Sequence, residues 1–224
     1  MNRSIFTVGA VIAVAGLVAI PEPAAAQFGG LRGAIPGASP SRAASVDPDA
    51  FIAETIETTA LMMVSAKLLA MSAGTDVDRD AARAAIVRLQ SRSSIGELNA
   101  QRASFQADVE AVSRNFGDAA ASQARYDAMT AEQQQLMLSA GYNFLLAMVR
   151  NVRLAQQVPQ LVQSMQSNPM LLTKLGNVRT AGALLAMQAE AATSMVGPLR
   201  TLMSRGGVEV PTDAQTSTPR PMDF

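Results

Sequence analysis

Leu136-Met-Leu-Ser-Ala-Gly-Tyr-Asn-Phe-Leu-Leu-Ala-Met-Val149 is the stretch that decides the fold. Its fourteen residues carry no charge and hold Leu136, Met137, Leu138, Tyr142, Phe144, Leu145, Leu146 and Met148. A membrane span needs about 20 apolar residues, so this stretch reads as a helix buried in a core. Thr130 supplies its N-cap, with Glu132 and Gln133 in the first turn. Pro159 is expected to kink or end it.

Working towards the N-terminus, a comparable pattern appears. Asp47-Pro48 pairs an N-cap with the residue best suited to the first helical position. The helix they open runs to about Ser72, with Gly74 beyond its end. From Ala60 to Met71 it is apolar on nearly every side, with Lys67 as the only charge, which predicts a central helix covered by neighbours. A second helix is predicted over 78–92, and a third, capped by Ser94 with Glu97 in capping-box position, over 94–115. Phe116 and Tyr126 fall in a small connecting segment. Beyond Pro159 come a short helix over 160–166, the Asn168-Pro169 turn, and a last long helix over 177–196. Gly197-Pro198 should interrupt that helix before a final turn ending at Gly206-Gly207.

The fold class is therefore all-α: a single helical bundle of about five main helices over residues 47–206. The tail, residues 207–224, is poor in apolar residues and rich in Pro, Thr and Ser, and is expected to be disordered. Residues 27–46 form a Gly-, Pro- and Ser-rich leader expected to be flexible. Ahead of it, Arg3 precedes an uncharged apolar run from Ile5 to Ile20. Pro21 and Pro23 follow, then Ala24-Ala25-Ala26. That order predicts a signal peptide over 1–26, cleaved between Ala26 and Gln27 with Ala24 and Ala26 as the small residues of the site. The sixteen-residue run is short for an anchor. The expected location is exported, periplasmic or secreted.

Residue types exclude much chemistry. The chain has no His, no Cys and no Trp, and its 18 basic residues balance 18 acidic ones. Usual zinc sites, Ser-His-Asp and Cys-His nucleophiles and Glu-x-x-His di-iron pairs are all ruled out. So are disulfides and Cys-linked lipid anchors. Net neutrality argues against a nucleic-acid partner. Ser65 and Lys67 stand two apart, which points them to different faces of a helix. Asp76, Asp78 and Asp80 resemble part of a calcium loop, but Ala81 and Val87 occupy the places where an EF-hand needs Gly and Glu. Capping of the second helix explains them better. Paired-carboxylate glycoside hydrolysis sits poorly with only two Tyr. The thirteen Met are spread along the chain rather than clustered for Cu(I), and read as core or as an adaptable groove. No cofactor is expected.

Charge is segregated. Residues 47–110 hold ten acids and six bases, whereas residues 133–189 hold no acid and four bases, Arg150, Arg153, Lys174 and Arg179. Either the two halves face each other with complementary charge, or these four bases form a face for anionic lipid or an acidic partner.

Val158-Pro159, Ser167-Asn168-Pro169-Met170 and Lys174-Leu175-Gly176, with the Gly-rich leader, resemble a pattern in a group of uncharacterised exported bacterial helical proteins. The resemblance implies a periplasmic helical protein and supplies no activity. The leading expectation is a non-enzymatic interaction protein: a scaffold, accessory subunit or chaperone-like binder of an unidentified protein partner. The alternative is a carrier of an apolar or lipid-like ligand, in a pocket lined by Met63, Leu145, Met148, Leu184 and Met187.

Overall fold

Asp47 and Pro48 begin the first helix as their chemistry requires. In the computed structural model, which describes residues 47–74, 78–91 and 94–222, the Asp47 carboxylate accepts from the Asp49 N–H at 3.0 Å. Pro48 occupies the first turn of α1, Pro48–Ala73, and Gly74 ends it. The expected signal peptide over 1–26, its expected cleavage residues Ala24, Ala26 and Gln27, the expected leader and Asp76 lie outside the described residues.

Six further α-helices and one 3-10 helix follow: α2 Arg79–Gln90, α3 Ile95–Asn99, α4 Arg102–Phe116, α5 Ala119–Asp127, α6 Ala131–Gln166, the 3-10 helix Pro169–Lys174, and α7 Leu175–Arg205. The described residues are all-α, with no strand. Asp78 caps α2, accepting from the N–H groups of Asp80 and Ala81. Thr130 and Gln133 form a reciprocal capping box at the start of α6.

The helix count exceeds the expected five for two reasons. The predicted 94–115 helix divides, because Gln101 N–H bonds to Leu98 O, one residue short of helical spacing. The connecting segment around Tyr126 winds into α5, capped by Asp118. Against expectation, both prolines are absorbed. α6 passes through Pro159 and α7 through Pro198 without ending. An interior proline costs about 3 kcal/mol, but buried residues anchor each helix on both sides of it. Leu154 and Leu161 flank Pro159, and Val196 and Leu199 flank Pro198.

α1 is the central helix. It packs against α2, α3, α4, α6 and α7. Between Phe51 and Ala70 it buries Met62, Met63, Val64, Ala66, Leu68 and Leu69. Its buried Thr55, Thr58 and Ser65 hydroxyls donate to carbonyls four residues back in the same helix, so they need no partner elsewhere. α6 and α7 run antiparallel and approach closely where glycine removes a side chain. A Cβ on Gly182 would lie 3.1 Å from Val158 Cγ1, and one on Gly141 would lie 2.7 Å from Met203 Cε.

The tail is the clearest departure from expectation. Residues 208–222 are not helical but lie against the bundle, with Val208, Val210, Ala214 and Met222 packed on the core and Pro211 buried. Composition underestimated this segment because its main anchors, Asn143 and Arg150, belong to α6.

Candidate functional site

The five residues expected to line a pocket or core lie in the core. Met63, Leu145, Met148, Leu184 and Met187 are buried members of one hydrophobic cluster shared by α1, α6 and α7. Three recesses on the surface of the described residues are lined by other side chains. One recess, about 250 Å³, opens between α5 and the end of α7 beside Tyr126 and Pro198.

At the heart of this cluster sits a small polar group. Asn151 of α6 donates from Nδ2 to Gln188 Oε1 of α7 at 2.7 Å. Thr59 of α1 donates to the same oxygen at 3.4 Å, and the Asn151 amide also lies 3.4 Å from Met62 Sδ. The remaining halves of both amides, Asn151 Oδ1 and Gln188 Nε2, are buried without a partner. Thr59 and Gln188 are fully buried and Asn151 nearly so. Three helices thus meet through one shared acceptor.

The four bases do not form a free positive face. Arg150 Nη1 lies 3.7 Å from Glu57 Oε1, Arg153 pairs with Glu54, and Lys174 Nζ lies 2.5 Å from Asp49 Oδ2. All three acids stand on α1. Segregated charge along the chain becomes complementary charge between α1 and the α6–3-10 stretch, and Arg179 is exposed with no partner among the described residues. The expectation of a four-residue basic face is corrected accordingly. These pairs are partly solvated and each contributes about 0–1 kcal/mol.

A further pair is more enclosed. Lys67 Nζ lies 2.7 Å from Asp108 Oδ1 and also donates to Ser104 at 3.3 Å. Burial pushes the Asp108 carboxyl above its usual range, while the Lys67 hydrogen bond and charge pull it down and offset only part of the effect. Ser65 takes no part, its hydroxyl being spent on Leu61 O. Among the described residues no group of three or more Asp or Glu is placed to hold a metal ion, and no helix is long and apolar enough to cross a membrane.

Two surface features remain. Between α6 and α7 the 3-10 helix holds Met170 86% exposed and Leu172 47% exposed. Asn168 fixes this turn by accepting from the Met170 N–H, and Pro169 stiffens it. Along α6, the tail is held by Asn143, Arg150 and Tyr142. Asn168-Pro169 marks the turn but not the exposure of Met170 and Leu172, and Asn143 lies inside the most apolar run, where nothing marks it as a tail anchor.

Comparison with known proteins returned no matching family model, no matching curated protein and no matching solved structure.

Proposed function

We propose that this protein is exported and works without catalysis, by binding other polypeptides as a scaffold, accessory subunit or chaperone-like partner. The observation that carries this reading is the turn between α6 and α7, which presents Met170 and Leu172 to solvent on a capped, proline-stiffened segment. A rigid exposed thioether and its aliphatic neighbour have apolar area to bury on a partner. Methionine also adapts to partners of varied shape. The charged side chains most suited to chemistry are spent elsewhere, in the pairs Lys67–Asp108, Arg153–Glu54 and Lys174–Asp49. The residues that would line a carrier's pocket are filled by one another, which favours the interaction reading over the carrier.

The test is quantitative capture from the cell envelope at native abundance, comparing the wild-type chain with Met170→Ser/Leu172→Ser. Proteins retained by the wild type and lost from the variant are expected. Identical recovery from both would remove this turn as the contact surface, and recovery of lipid in their place would favour the carrier.

A further inference from the structure

The tail is held by hydrogen bonds that do not read its sequence. Asn143 is fully buried on α6. Its Nδ2 donates to the Arg220 carbonyl and its Oδ1 accepts from the Arg220 N–H, both at 2.8 Å. A carboxamide matched to one residue's N–H and C=O does for a passing chain what a neighbouring strand would do. Arg150 stands seven residues later, two helical turns along the same face. It donates from Nε to Ala214 O at 3.2 Å and from Nη2 to Ser217 O at 3.0 Å. The tail therefore runs antiparallel to α6, and all four bonds engage its main chain. Side chains add little polar selectivity: the Arg220 guanidinium lies over the Tyr142 ring at 4.5 Å, and Met222 seats against Ser65 of α1.

We propose that the groove between α1 and α6 is a binding site for a non-helical segment of another polypeptide, and that the tail is its built-in competitor. The ligand class follows from the anchors. The segment must offer a free N–H and C=O at the residue facing Asn143 and, ahead of it, two carbonyls that a tight turn brings to Arg150, as residues 213–217 do in the tail. It must also carry an unbranched or small apolar side chain two residues further on, where Met222 sits. Because main-chain bonds supply the polar contacts, many sequences satisfy it. A tethered tail competes at an effective concentration in the millimolar range, so the groove is closed until the tail is displaced. This inference rests on the reading that the protein binds polypeptides, but it concerns a surface separate from the Met170–Leu172 turn.

The experiment uses the full chain and a fluorescent peptide with the sequence of residues 208–222, followed by anisotropy. In Arg220→Pro/Met222→Asp the tail loses the N–H that Asn143 accepts and its apolar seat, while the groove is untouched. The peptide is expected to bind this variant at least tenfold more tightly than the wild type. Adding Asn143→Ala should abolish that gain. A peptide N-methylated at the position of Arg220 keeps every side chain and is expected to bind at least tenfold more weakly than its parent. Equal affinity for wild type and variant, or an N-methylated peptide as good as the parent, would overturn the proposal. So would a wild-type dimer that the free peptide dissociates, which would assign the groove to a second copy's tail. Peptide binding and the loss of captured proteins in Met170→Ser/Leu172→Ser are separate readouts, so either idea can fail alone.

Discussion

Replacing both amides at the centre of the bundle should stabilise the protein, although replacing either one should destabilise it. Asn151 and Gln188 share one hydrogen bond of 2.7 Å and leave two buried polar atoms, Asn151 Oδ1 and Gln188 Nε2, without partners. A buried unsatisfied polar group costs about 1–3 kcal/mol. Gln188→Met preserves shape but strands the whole Asn151 amide, which keeps only the thioether of Met62. Each single substitution also removes one of the two unpartnered atoms, so its net cost is about 1–2 kcal/mol. In Asn151→Leu/Gln188→Met both amides vanish together. Thr59 can then turn its hydroxyl to the carbonyl four residues back, as Thr55 already does. The double variant should exceed the wild type by about 1–3 kcal/mol, which for a chain of this size raises Tm by roughly 2–4 °C per kcal/mol. Urea unfolding with an unchanged m-value measures it, and the cycle should show a favourable coupling of a few kcal/mol. A double variant less stable than either single one would refute the argument and mean that the amides organise the three helices in a way that apolar packing cannot replace.

Three other outcomes follow from the geometry. Burial raises the Asp108 carboxyl above the value it has in the unfolded chain; between those two values the unfolded state binds fewer protons, so stability falls as pH rises across the window just above the ordinary carboxylate range and is level beyond it. Asp108→Asn should remove that slope from urea-derived stabilities, and a wild type that instead gains stability relative to Asp108→Asn across the window would contradict it. Gly182→Leu places a side chain where Val158 Cγ1 leaves only 3.1 Å, so chemical denaturation should show a loss of about 1–3 kcal/mol from overpacking. Glu54→Gln/Glu57→Gln removes the carboxylate partners of Arg153 and Arg150, which keeps its tail carbonyls; co-sedimentation with anionic vesicles at low salt should rise above wild type, and an unchanged level would mean these bases are not held back by their acids.

What the residues disclosed, and what they hid, divides along physical lines. α1 was legible end to end because its signals are local: an Asp-Pro start, a Gly past its end, and an apolar circumference that fits only a central position. Charge segregation was equally readable, since acids on α1 and bases on α6 and beyond have a natural meeting point. Pro159 and Pro198 misled because the local rule is outweighed by packing on both sides, which is a tertiary quantity. The tail misled for a related reason. Its own composition says little; its order comes from Asn143 and Arg150, 77 and 64 residues away in the chain from Arg220 and Ala214. Likewise, nothing in the apolar run announces that its single Asn, Asn143, reaches a main chain rather than a core partner.

The central place of α1 also sets a timetable. Some of its partners are late in the chain: Met62 meets Asn151, Thr59 meets Gln188, and Ser65 meets Met222. A ribosome delivers residues in order, so the surface that α6 and α7 lay over α1 does not exist until after α2 to α5 have been made. Closing such long loops is slow, and meanwhile an unusually apolar segment stays uncovered. A growing chain therefore exposes the part of α1 that α6 and α7 later cover, and the segment over 208–222 closes on Asn143 after them. Folding of this bundle waits on α6 and α7.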